Sequence, residues 1–236
     1  MGHILYIGNK RYSSWSMRPW VLLKALSIPF EEHLQPFSPG HRQPAYLQFS
    51  PSGKVPCLVD GDVTVWDSLA IAEYVAESHP SAWPADRTAR ADRTARAYAR
   101  CAAAEMHSGF EAIRDQCTMN VALRIELGAP DAALQRDVDR LVQLWTEGLN
   151  RFGGPWIAGP EFSVADAFFA PVATRVRTFG IDLKSEAAAA YVERVLGHPA
   201  VKAWVDEGIA ETYREPGHEE DALRGRKVLE DLSTVQ

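Results

Sequence analysis

The chain has 236 residues, 46% of them hydrophobic and 24% charged, with a net charge of -6, enough for one large packed core or two small ones. The acidic balance leaves no basic stripe to neutralise a phosphate backbone, which weighs against nucleic acid as a partner. Three widely spaced cysteines, Cys57, Cys101 and Cys117, without a C-x-x-C pair, exclude a disulfide scaffold and a zinc knuckle and read as reduced thiols, with no metal expected.

Residues 3–7 read as a strand and residues 20–26 as a helix, with Pro19 in its first turn, where a missing N–H costs nothing. A weaker strand follows at 30–34. Residues 57–59 and 63–66 flank Asp60-Gly61-Asp62, turn residues at the reversal of a hairpin, and a helix runs over about 68–78. The order β, α, β, hairpin, α predicts a small mixed α/β domain over residues 1–79. His79-Pro80-Ser81-Ala82-Trp83-Pro84 carries two prolines and no sustained period, so residues 80–86 read as a linker.

Beyond the linker strand signals vanish, and an all-helical domain is expected over 87–214. Residues 86–118 form an Ala- and Arg-rich helical stretch in which Ala85-Asp86-Arg87-Thr88-Ala89-Arg90 is repeated at once as Ala91-Asp92-Arg93-Thr94-Ala95-Arg96. The repeat reads as a solvated helix face, with an anion site as the alternative. Residues 131–150 space Leu134, Val138, Leu141, Leu144, Trp145 and Leu149 at steps of three and four, so one apolar stripe faces a core. Gly153-Gly154-Pro155 stops that helix. Ser163, with Asp166 three residues on, resembles a capping box opening a helix over 164–178; further helices are expected at 187–196 and 199–210. Residues 215–236 are charged and poor in aromatics and read as a loosely docked tail. No apolar run approaches the ~20 residues that span a bilayer, and residues 1–7 make no secretory signal. The expectation is a cytoplasmic protein without a membrane partner.

Three segments of the first domain carry chemistry. Tyr12-Ser13-Ser14-Trp15-Ser16-Met17-Arg18-Pro19 lies between the first strand and the first helix, where ligands of open α/β sheets collect. Any one of its serines can serve as a helix cap, yet the run contains more hydroxyls than one cap needs. A free thiol titrates near ~8.5, so a hydroxyl donating to the thiolate, aided by the positive end of the helix dipole, raises the nucleophilic fraction at neutral pH. In Pro51-Ser52-Gly53-Lys54-Val55-Pro56-Cys57-Leu58, Pro56 stands directly before a strand, which suggests a cis Val55–Pro56 bond, or an ordinary trans proline at a sheet edge. The backbone of Val55 would be free to pair with an extended peptide as a short added strand. In the third segment, Asp67-Ser68 opens a helix: the hydroxyl and backbone N–H groups suit a carboxylate, and the Asp67 carboxylate suits an ammonium group. Simple N-capping by Asp67 explains the pair equally well.

These segments, in this order and spacing, followed by a proline-containing linker and a helical half with Ser163-x-x-Asp166, resemble the cytosolic glutathione transferases over about residues 3–210. The resemblance implies an N-terminal thioredoxin-like α/β domain followed by an all-α domain. Ser13-Ser14-Trp15-Ser16 with Arg18 is most similar to the serine-type motif of the zeta class, the maleylacetoacetate isomerases. The family implies glutathione as co-substrate, with Ser14 or Ser13 at the sulfur, Ser14 being preferred, and Trp15, Ser16 and Arg18 around it. It implies Val55, beside Pro56 and with Lys54, on the cysteinyl backbone; Asp67 and Ser68 on the γ-glutamyl end; and His41 on the glycyl end. A small electrophile would sit against the first long helix of the second domain, near Met106, His107, Phe110 and Arg114. A homodimer is implied as well. Trp15 departs from the zeta pattern by replacing its cysteine, which tells against a thiol-dependent isomerase step. Conjugation is therefore the leading expectation; a glutathione-dependent cis-trans isomerase and a non-catalytic binding platform are the alternatives.

Overall fold

Alternation in the first strand builds the first layer. β1 (His3–Ile7) turns Leu5 and Ile7 fully into the core and leaves Ile4 and Tyr6 half-buried. β2 (Phe30–Leu34) pairs with it in parallel, β3 (Cys57–Asp60) antiparallel on its other side, and β4 (Val63–Val65) folds back on β3. The sheet order is β2-β1-β3-β4. Gly61, at φ 62°, takes the left-handed position of the hairpin turn that a side chain would disfavour. This computed structural model describes residues 2–40, 43–85 and 90–233.

α1 (Ser14–Ala25) crosses from β1 to β2, and α2 (Ser68–Ser78) follows β4. α1 starts at Ser14 rather than at residue 20, so Pro19 lies inside the helix and not in its first turn. The Trp15 carbonyl consequently has no N–H at position 19 to receive. Two causes explain the earlier start. Ser13 caps the helix by accepting from the Ser16 N–H, and the polar-looking segment is buried, because α1 packs on α2 within its own domain and on two helices of the other half. A helix buried on nearly every side lacks the polar face by which sequence periodicity is read.

The helical half comprises α3 (Arg90–Ser108), α4 (Glu111–Gln116), α5 (Ala132–Phe152), α6 (Val164–Phe179), α7 (Glu186–Gly197), α8 (Pro199–Ala210) and α9 (Pro216–Leu223). The helical stretch expected over 86–118 is broken in two, with Phe110 in a left-handed conformation at φ 58°, ψ 47°. α5 buries Leu134, Val138, Leu141, Leu144 and Trp145, is capped by Asp131, which accepts from the Ala133 and Leu134 N–H groups, and stops at left-handed Gly153. Each such leucine contributes about 1.5–3 kcal/mol of burial. α6 is buried all round through Val176 and forms the axis of this half, touching α1, α3 and α7.

Two features depart from the sequence reading. Strands do occur in the second half, where β5 (Leu123–Ile125) pairs antiparallel with β6 (Val228–Asp231). The charged tail is also docked: Tyr12 Oη donates to Glu219 at 2.6 Å, Asn120 donates to the same oxygen at 3.1 Å, and Ala222 is fully buried. Its partners lie at the far end of the chain, so no local pattern announces them. Among the described residues no helix is long and apolar enough to cross a membrane.

Candidate functional site

The serine run at the start of α1 divides its labour. Ser13 Oγ accepts from the Ser16 N–H at 3.3 Å and donates to Ser16 Oγ at 2.8 Å, while Ser16 Oγ also accepts from the Gly8 N–H at 3.1 Å. Both hydroxyls are buried and tie the strand end to the helix. Ser14, at the first helical position, has a side chain that takes part in no hydrogen bond among the described residues. Its hydroxyl is thus the one in this run uncommitted as donor and acceptor alike, at a helix end whose N–H groups carry partial positive charge.

The Val55–Pro56 bond is cis. Val55 lies two residues before the start of β3, and among the described residues neither its N–H nor its C=O has a hydrogen-bond partner, so this edge offers one donor and one acceptor to an added extended chain. The Lys54 side chain is exposed beside it. Asp67 caps α2, its Oδ1 receiving the N–H groups of Leu69 at 2.8 Å and Ala70 at 3.1 Å. Ser68 is buried and its Oγ has no partner, an orphan that a bound carboxylate would satisfy. His41 lies outside the described residues.

On the helical side a cluster of cations surrounds Trp15. The Arg18 guanidinium carbon stands 4.1 Å from the Trp15 ring centre and 5.0 Å from that of Phe168; Arg114 stands 4.7 Å from Trp15; and His107 meets the same indole edge-on at 5.2 Å. His107 Nε2 lies 3.6 Å from Asp67 Oδ2, bridging the two halves of the molecule. Arg114 donates to the carbonyls of Met106 and His107. Arg18 is 1% exposed, and its Nε and Nη1 have no partner; Nε of Arg114 and Nδ1 of His107 are orphaned likewise. Burial, with the nearby charges of Arg114 and Arg175, holds the Arg18 guanidinium well below the usual arginine range, and only Asp67 opposes this. Burial also pushes His107 below 6.5, with Asp67 pulling against it and Arg18 and Arg114 adding to it.

Of the residues expected in a second-substrate pocket, His107 and Arg114 therefore converge beside Trp15 and Arg18. Met106 and Phe110 do not. Met106 is fully buried in the core, and Phe110, at the break between α3 and α4, is buried there too.

Sequence reasoning missed Tyr12, Phe168 and Arg175. The Tyr12 phenol donates to the Glu219 carboxylate, and burial and that carboxylate push its pKa up, so its proton is committed away from the serine run. Phe168 carries no mark distinguishing it from the other apolar residues of α6. Arg175 is buried but satisfied: its Nε donates to the Cys117 carbonyl at 2.8 Å and its Nη1 reaches the Pro171 carbonyl at 3.4 Å. Among the described residues no three metal-ligating side chains come together.

Comparison with known proteins matches residues 12–78 to the family described as the glutathione S-transferase N-terminal domain and residues 88–207 to the glutathione S-transferase C-terminal domain. Glutathione S-transferase 1 of Dianthus caryophyllus is 26% identical over 182 residues, which cover 76% of this chain and 80% of that protein. Glutathione S-transferase 3 of Zea mays is 32% identical over 133 residues, 54% of this chain and 57% of its own length. A solved glutathione transferase homolog from Burkholderia gl BGR1, with bound glutathione, superposes with a TM-score of 0.65 at 25% identity, covering 88% of this chain and 98% of that one.

Proposed function

Because the chain belongs to the glutathione S-transferase family, we propose that it binds glutathione in extended form along Val55 and transfers its sulfur to a small electrophile, with Ser14 as the partner of the thiolate. The free N–H and C=O of Val55 receive the cysteinyl backbone. The orphaned Ser68 hydroxyl and the first N–H of α2 take the γ-glutamyl carboxylate, and Asp67 takes the ammonium. Lys54 joins Val55 on the cysteinyl backbone, and His41 stands for the glycyl end.

The observation that carries this reading is the division of labour in the serine run: Ser13 caps the helix and donates to Ser16, Ser16 also accepts from Gly8, and the Ser14 hydroxyl stays unengaged. A hydrogen bond from Ser14, together with the helix dipole, favours the thiolate over the thiol. The thiolate then forms the C–S bond by attacking the electrophilic carbon, and the displaced electron pair leaves with a leaving group or moves onto the adjoining atom of a double bond. Holding both reactants in one cleft supplies the orientation.

The Ser14→Ala variant tests the assignment. It should lose about tenfold to hundredfold in kcat/KM for a reactive aryl halide, the cost of one hydrogen bond to a charged atom, ~1.5–3 kcal/mol. Wild-type rates in this variant would remove Ser14 from the mechanism. A homodimer completes the reading. Leu47, 64% exposed, and Trp66, 49% exposed, leave apolar area on the α/β half that a second copy would cover. Sedimentation as a monomer at micromolar concentration would contradict that part.

A further inference from the structure

Resting on the glutathione reading, we infer that the electrophile this cleft is built for carries a carboxylate, held between Arg18 and Arg114 against the Trp15 ring. Arg18 follows Ser14 by one helical turn and faces Phe168 of α6, while Arg114 comes from α4. The guanidinium carbons of both stand over one indole, 4.1 and 4.7 Å from its ring centre, where α1 meets the helical half. Neither arginine has a carboxylate within ion-pair distance among the described residues. The acids that act on them are Asp67, whose Oδ1 already receives two N–H groups of α2, and Glu111, exposed on α4.

A cation that is almost wholly buried without an anion is costly, and protein interiors tolerate such a group where a ligand completes it. Arg175, a short distance away, shows the satisfied alternative, with its donors spent on main-chain carbonyls. The unspent donors of Arg18, Nε and Nη1, lie on two sides of one guanidinium, and Arg114 keeps its Nε. One oxygen of a carboxylate can accept from Arg18 and the other from Arg114 Nε. The site therefore selects small electrophiles that bear an acid group close to the reactive carbon, rather than the neutral apolar electrophiles a greasy pocket would prefer.

The test compares two glutathione conjugates of equal shape, S-(2-carboxyethyl)glutathione and S-(2-carbamoylethyl)glutathione, by isothermal titration against the wild type, Arg114→Gln and Arg18→Met, with glutathione titrated in parallel. The wild type should bind the carboxylate conjugate at least tenfold more tightly than the amide, and the preference should shrink to within about twofold in each variant. Equal affinity for the two conjugates in a wild type that binds glutathione would overturn the inference, as would a preference undiminished in Arg114→Gln. If the arginines serve glutathione's own carboxylates instead, both variants will weaken glutathione and the two conjugates alike, which also overturns it. Failure of glutathione itself to bind at millimolar concentration would strike the underlying reading rather than this addition to it.

Discussion

Two buried polar regions of this molecule make opposite use of the same kinds of side chain. At the start of α6, the Asp166 carboxylate is fully buried and receives four donors: the Ile157 N–H at 3.2 Å, the Ser163 N–H at 3.0 Å, the Ser163 hydroxyl at 3.1 Å and the Tyr191 hydroxyl at 2.9 Å. Burial pushes its pKa up to about 6, and each of those donors pulls it back. In the cleft around Trp15, Arg18 is buried just as deeply, yet its Nε and Nη1 donate to nothing. The first region is closed on itself and fixes the fold. The second leaves buried donors unpaired, and these are the donors that the inferred carboxylate would complete.

Substitution at each site should separate the two. Asp166→Ala leaves four buried donors unpaired and should cost about 3–5 kcal/mol, read as a lower urea midpoint at unchanged slope. A loss below about 1 kcal/mol would show that the network is ornamental and would erase the contrast.

The tail lies between these extremes. Tyr12→Phe removes two hydrogen bonds, the one donated to the Glu219 carboxylate that Asn120 still partners and the one accepted from the Glu215 N–H at 3.3 Å, and should cost about 1.5–3 kcal/mol in the same assay. If it costs nothing while Ser14-dependent activity falls, the tail acts on the serine loop rather than on stability.

Arg18→Met should change stability by no more than about 1 kcal/mol in either direction. Relief from burying an unpaired charge offsets the lost stacking on Trp15 and Phe168. Destabilisation by several kcal/mol would mean that Arg18 belongs with the closed class.

The smallest effect is a titration. Burial, with Arg18 and Arg114, lowers the His107 pKa against the pull of Asp67. The unfolded chain takes up the imidazole proton at a higher pH than the folded one. The associated stability is therefore fully present above about 6.5 and is lost as pH falls toward the depressed folded value. Proton NMR should place the His107 midpoint below 6.5 in the free protein and move it upward when a carboxylate conjugate binds. A midpoint above 6.5 without ligand would contradict the description of the cleft as cation-rich.

Legibility in the sequence followed locality. The β-α-β-hairpin order, the cap at Ser163 and the stripe from Leu134 to Leu149 could be read because each is a local pattern of apolar spacing and turn residues. The start of α1 could not, since Ser14, Ser16 and Arg18 are polar residues buried between domains and no periodicity marks a helix with no solvent face. The β5–β6 pairing joins segments about a hundred residues apart, and Tyr12 finds Glu219 across an even longer separation. In the candidate site, the serine run, Val55 and Asp67-Ser68 were visible as motifs. The meeting of Arg18 with Arg114 on one indole depended on how α1 packs against α4 and α6. Met106 and Arg114 also show the limit of helical spacing: the break at Phe110 turns one toward the core and leaves the other beside Trp15.

The most direct test of the central claim is an ultraviolet titration of the bound thiolate in the wild type, Ser14→Ala and Ser13→Ala. The bound glutathione thiol should titrate well below the ~8.5 of a free thiol in the wild type, about one unit or more higher in Ser14→Ala, and little changed in Ser13→Ala, which loses a helix cap rather than a donor to the sulfur. A bound thiol unaffected by loss of the Ser14 hydroxyl would contradict it.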